Sequence, residues 1–323
     1  MGKNKRRFDN YDPDEAYPVE LERDIEKKAR QKYETENPMH GPDYEQQWKE
    51  QQEKLKEWEL ERLLKEGKVE SLYRTTTTKA KNIDSGKEIL EAQIYPSFLK
   101  PDDAPRTKKK RESKPSQKNL NDKNSRRYFV RIAIINFGRN DLWCTFTWDN
   151  DNLPQDEDQA DRDIANLVRK VNYRRKKVDL PNAKYLIIPV TDGAEHPHFH
   201  MLISGDGISR DELESLWTKG ERNNTRRLKP DRDFLLTGVA TYMMYNRKGK
   251  RRWRGSKNLV RPAAPTRSYS KFRKRTVERM VKSHETMRAE LEKAYKGYRF
   301  LDAEVRYNTI TAAFYIYARL VRD

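Results

Sequence analysis

The alternation of apolar and polar positions is most regular in the middle of the chain. In DLWCTFTW (141–148), Leu142, Cys144, Phe146 and Trp148 fall on every second position, the period of a half-buried strand. Over 156–177 the period lengthens, with Ile164, Leu167, Val168 and Val171 on one helical face. Acidic residues open that segment and basic residues close it, which complements a helix dipole. AKYLIIPVT (183–191) and PHFHMLISG (197–205) are apolar runs joined across Asp192-Gly193, and so predict an antiparallel strand pair. SRDELESLWTKG (209–220) starts a helix at Ser209, with Glu212 completing a capping box. FLLTGVATYMMYNRKG (234–249) reads as another helix. The order β-α-β-β-α-α predicts an α+β fold: a ferredoxin-like (RRM-like) antiparallel sheet with helices on one face.

The flanks are less periodic. Residues 1–68 predict a helical appendage, carried by 43–68 with a stripe of Trp48, Leu55, Trp58 and Leu63 and a C-cap at Gly67. That stripe either packs on its own domain or receives a partner helix. Residues 69–99 predict a β-hairpin turning at Asp84-Ser85-Gly86. Residues 100–127 form a basic linker, with SRRYFVRIAIINFG (125–138) a helix running into the core region 128–262. The remainder, 263–323, predicts a basic connector, an amphipathic helix over 277–298 with His284 as a packing residue, and an apolar tail that docks as a strand or a helix.

Charge sharpens this outline. Charged residues make up 37% of the 323 and hydrophobic ones 34%, a thin core for the length, and the net charge of +18 is unevenly placed. Residues 1–67 carry 14 Lys/Arg against 18 Asp/Glu, 100–131 carry 12 against 4, and 247–282 carry 15 against 1. Basic charge concentrated in this way is the footprint of a polyanionic partner, nucleic acid above all. The first residues lack the apolar stretch of a signal peptide, and no run approaches the about 20 apolar residues of a membrane span. The single Cys144 excludes a multi-cysteine zinc site and an internal disulfide. A cytoplasmic protein without membrane association is the expectation.

Three of the five histidines fall within five residues, at His196, His198 and His200. On a strand His198 and His200 share a face, while Phe199 and Met201 point away. Two adjacent imidazoles can hold a divalent ion if a third group joins them, with His196, Asp192 and Glu195 as candidates. They can equally be two half-buried strand residues. About forty residues on, Tyr242 and Tyr245 sit about 60° apart on one helix, with Lys248 a turn further along. A tyrosine hydroxyl can attack a phosphodiester and keep the 5′ phosphate as a covalent link. A nearby lysine can favour the phenolate or offset charge at phosphorus. The plainer reading of the tyrosines is a pair of core aromatics. Directly after them come Arg247, Lys250, Arg251, Arg252, Trp253, Arg254 and Lys257, a candidate DNA track in which Trp253 could stack on a base.

His-hydrophobic-His on a strand followed by a tyrosine helix resembles the HUH endonucleases, in particular the rolling-circle replication initiators of bacterial plasmids, phages and integrative elements. LEAQIYPSF (90–98), INFGRNDLWCTFTWDNDNLP (135–154), HPHFHMLISG, ELESLWTKG and SKNLVRP (256–262) carry the resemblance in order, over roughly 69–262. It implies TFTWD as the central strand, His198 and His200 as metal ligands for magnesium or manganese, and Tyr242 as the nucleophile that nicks one strand at an origin and later rejoins it. Family members often carry lysine three residues after that tyrosine. Tyr245 stands there in this chain, so either Tyr245 is a second nucleophile or Lys248 supplies the charge. A glutamate common at the end of the preceding strand has no direct counterpart, which leaves Asp192 first and Glu195 second as the third ligand. Relaxases place the tyrosine before the histidines, and the single-domain transposases of the superfamily are much shorter. The implied partners are single-stranded or hairpin origin DNA and the host polymerase, in a bacterial cytoplasm. A host helicase joins them because the chain has no phosphate-binding G-x-x-x-x-G-K-[ST] loop. The alternative is a non-catalytic module that stacks single strands on Trp143, Phe146, Trp148 and Phe199 of the sheet.

Overall fold

Strand β3 (Leu142–Thr147) buries every second side chain, as its alternation predicts, and the first of two units is built around it. A computed structural model describes residues 71–98, 115–191, 194, 196–245, 253–308 and 313–323. The predicted appendage over 1–68, with its aromatic stripe, lies outside the described residues, as does most of the basic linker. The chain is α+β, with two antiparallel five-stranded sheets.

Unit one holds residues 82–85 and 126–261 of the described chain. Its sheet runs β6-β3-β5-β4-β7, where β4 is Tyr185–Val190, β5 His198–Ile203, β6 Asn224–Arg227 and β7 Arg254–Gly255. Every pairing in it is antiparallel. Leu142, Cys144 and Phe146 of β3 face the same way as Phe199, Met201 and Ile203 of β5. Helix α2 (Glu157–Lys177) covers that face with Ile164, Leu167, Val168 and Val171. Four rings, Phe146, Trp148, Phe199 and Trp217, lock together with centroids 5.1–5.8 Å apart. Helix α2 is capped by Asp156, whose carboxylate accepts from the Gln159 N–H at 2.6 Å. Helix α3 (Arg210–Leu216) has the expected capping box between Ser209 and Glu212.

Unit two, residues 71–81, 86–125 and 262–323 of the described chain, contains the predicted hairpin as β1 (Ser71–Lys81) and β2 (Glu88–Phe98). The C-terminal tail docks as strands, β9 (Arg299–Asn308) and β10 (Ala313–Arg322), and β8 (Thr266–Ser268) completes the order β8-β1-β2-β10-β9. The single helix expected over 277–298 is two, α5 (Lys274–Lys282) and α6 (His284–Ala294). Ser283 between them is extended, and its hydroxyl accepts from the Thr286 N–H at 3.3 Å, so it starts a new helix instead of continuing the old one. Both helices pack on one sheet face through Val277, Met280, Met287 and Leu291. His284, expected among the packing residues, is exposed, with its ring edge-on to Phe300 at 5.2 Å. Helix α1 (Pro115–Asn136) begins ten residues before the expected start at 125, taking in part of what reads as linker. No described helix is long and apolar enough to cross a membrane.

Candidate active site

The face of β5 opposite Phe199 and Met201 carries the histidines. Strand pairing sets His200 across from Thr145 of β3 and Ile188 of β4, and His198 across from Thr147 and Val190. The two imidazoles lie 5.0 Å apart, nearly perpendicular. His198 is half-buried, and its Nδ1 donates to the His196 carbonyl at 2.8 Å. A carbonyl only accepts, so Nδ1 carries the proton and Nε2 the lone pair. His196 itself is exposed and contributes here through its backbone.

His200 is 3% exposed. Its Nδ1 lies 3.0 Å from the Thr145 hydroxyl, while its Nε2 is buried with no hydrogen-bond partner. Burial, and secondarily the neighbouring His198, push its pKa down to about 3. A neutral imidazole held by one nitrogen, with the other unsatisfied, has the donor chemistry of a metal ligand oriented by a second partner. An orphaned buried polar atom costs about 1–3 kcal/mol, so it calls for a compensating use.

The lowered pKa has a direct consequence for the metal-free protein. An unfolded histidine takes up a proton near pH 6.5, while folded His200 resists until about 3. The unfolded state therefore binds more protons across that window, and stability falls as pH drops from about 6.5 to about 3. A denaturation series in chelator should show this decline, and His200→Gln should make it shallower.

Helix α4 (Thr237–Tyr245) brings the tyrosine. Its entry is a tight turn in which Asp231 Oδ1 accepts from the Asp233 and Phe234 N–H groups at 2.8 and 2.6 Å. Leu235 closes the turn at φ 53°, a left-handed conformation that a non-glycine residue adopts at a cost of roughly 1 kcal/mol. Seven of the nine helix residues are buried, and the two that are not are Tyr242 and Tyr245. Both are half-buried. The Tyr242 ring lies 5.6 Å from His200 and 5.7 Å from Trp143, edge-on to both. Tyr245 lies about 60° around the helix and one turn on.

The β3 end of the site is held by its surroundings. Trp217 Nε1 donates to the Thr147 carbonyl at 2.7 Å, and the Asp149 N–H donates to the Lys219 carbonyl at 2.9 Å. Gly220 permits this approach, because a Cβ there would sit 2.1 Å from the Thr147 oxygen.

The rings of His198 and Tyr242 thus both lie beside that of His200. Asp192, Glu195, Arg247, Lys248, Lys250, Arg251 and Arg252 lie outside the described residues. Among the described residues no third His, Cys, Asp or Glu joins the histidines. Arg254 forms an ion pair with Asp161 of α2, and Lys257 is exposed on a turn. Trp253 is half-buried against Tyr128 and Phe129 of α1, with centroids 6.1 and 5.6 Å away, so its ring is engaged in packing. Stacking on the sheet through Phe146, Trp148 and Phe199 is excluded, since they are 0%, 4% and 0% exposed beneath α2 and α3. Their alternation aims them at the helices, away from the histidine face. Thr145 is the residue that sequence reading missed. Its position opposite His200 follows only from the strand register, although it does fall on the polar phase of β3. No family model, curated protein or solved structure matches this chain.

Proposed function

We propose that unit one is a metal-assisted strand transferase acting on single-stranded or hairpin DNA, with Tyr242 as nucleophile. The observation that carries this reading is the Tyr242 ring set against His200, whose Nε2 is buried and unpartnered. His198 and His200 would hold a magnesium or manganese ion, with Asp192 or Glu195 as a further ligand. Such an ion supplies Lewis-acid polarisation of a scissile phosphate. Tyr242 gives up its proton, its Oη bonds to phosphorus, and the bond to the 3′ oxygen breaks, with that oxygen taking up a proton. The 5′ phosphate stays on Tyr242 until a 3′ hydroxyl attacks it and restores the diester, so joining requires no nucleotide cofactor. Thr145 orients His200, and Trp143 supports the tyrosine ring from the side.

The biological setting that fits is initiation of rolling-circle replication in a bacterial cytoplasm, with a host helicase and polymerase extending the released 3′ end. The 15 Lys/Arg against 1 Asp/Glu over 247–282 support a DNA substrate, because they follow the tyrosine helix directly. The test is incubation of the full chain with a labelled single-stranded or hairpin oligonucleotide and manganese, followed by a denaturing gel. A protein-linked label that disappears with chelator is expected. Absence of a linked species with every divalent ion tried, across a pool of sequences, would remove the proposal.

A further inference from the structure

Unit two carries a second surface that the tyrosine chemistry does not use. Helices α5 and α6 cover one face of its sheet. The opposite face begins at the β8 edge, where Arg267 pairs with Thr76, and Thr76 in turn with Gln93 of β2 and Gln93 with Tyr317 of β10. One row over, Arg74 pairs with Tyr95. The Arg74 guanidinium lies 6.0 Å from the Tyr95 ring and 5.7 Å from the Tyr269 ring, and Tyr95 stacks on Tyr315 at 6.2 Å. Three tyrosines and an arginine therefore make one continuous patch. Tyr269 is 44% exposed, Arg267 is exposed, and Arg74, Tyr95 and Tyr315 are half-buried.

Cross-strand pairing that merely stabilises a sheet tends to match arginine with carboxylate. That happens at the far end of this face, where Arg319 pairs with Asp302, and Lys123 and Arg306 with Glu304. Arg74 differs: its Nε is buried with no hydrogen-bond acceptor, and rings lie on its two sides. The adjoining β8 edge, 262–275, carries five Lys/Arg and no Asp/Glu. Aromatic rings beside cations, on a sheet lined by a basic edge, suit a ligand that offers flat bases and phosphates in alternation. A duplex keeps its bases stacked inside and offers such a face only its phosphates.

We infer that the part of this face around Tyr269, Arg74, Tyr95 and Tyr315 is a docking surface for single-stranded nucleic acid. Bases stack on Tyr269 and its neighbours, and Arg74 and Arg267 take phosphates. The surface shares no residue with the Tyr242 site and does not depend on metal.

The test uses the full chain with Tyr242→Phe, in chelator, and an oligothymidylate of about 16 nucleotides carrying 4-thiothymidine. Photocrosslinks are expected in peptides of β1, β2 or β8. By fluorescence anisotropy, Tyr269→Ala should weaken binding about tenfold and Tyr269→Phe should keep it, because stacking needs the ring and not the hydroxyl. Arg74→Ala should weaken binding and lower its salt dependence. Crosslinks confined to 126–261, or unchanged binding in both alanine variants, overturn the inference. So does equal competition by duplex DNA or by an acidic peptide. A chain that forms the Tyr242 adduct without crosslinks in unit two sinks this inference alone. Crosslinks in unit two without an adduct sink only the strand-transfer reading.

Discussion

Replacing His200 with alanine is expected to slow formation of the protein–DNA link by roughly a thousandfold, since a polarising ion is worth several kcal/mol to such a reaction. The same change should leave folding stability nearly unaltered above pH 7. Alanine opens a small cavity, yet it also removes an Nε2 that is buried without a partner, and these effects oppose one another. Thr145 loses its imidazole neighbour, but it lies on the histidine side of β3 and not in the core beneath α2. A time course of linked product, run beside a thermal melt, checks both halves. A variant that links DNA at the original rate would remove His200 from the chemistry.

One residue away, Phe199→Ala should do the reverse. Phe199 is fully buried and meets the rings of Phe146, Trp148 and Trp217 within 5.1–5.3 Å. Truncating a large aromatic side chain in such a cluster costs about 3–5 kcal/mol. Denaturant unfolding of unit one, followed by tryptophan fluorescence, should shift its midpoint accordingly. A shift under about 1 kcal/mol would mean that the aromatic cluster tolerates the cavity by collapsing around it. The contrast between adjacent residues follows from strand geometry alone, since alternate side chains leave opposite faces of the sheet.

That alternation is also why much of unit one could be read from sequence. A period of two placed His198 and His200 together, and helical spacing with terminal charges marked α2. Ser209 and Glu212 gave the start of α3 because a capping box is a local signal. Features set by distant contacts were not legible. Strands β6, β7 and β8 have four, two and three residues, too short to show a period. The break at Ser283 was masked because the apolar stripe continues across it. Trp253 looked like an exposed stacking residue because its neighbours are basic, and only the fold sets it against Tyr128 and Phe129. The pairing of Thr145 with His200 required the register, and so did the row of tyrosines in unit two.

The two tyrosines of α4 offer the sharpest discrimination, because both are half-buried and only one needs to be the nucleophile. Full-length protein, Tyr242→Phe and Tyr245→Phe should each be incubated with labelled single-stranded DNA and manganese, and the linked peptide identified by mass spectrometry. The wild-type link is expected on Tyr242, lost in Tyr242→Phe and retained in Tyr245→Phe. A link that survives Tyr242→Phe and disappears with Tyr245→Phe would contradict the assignment of Tyr242 as the attacking residue.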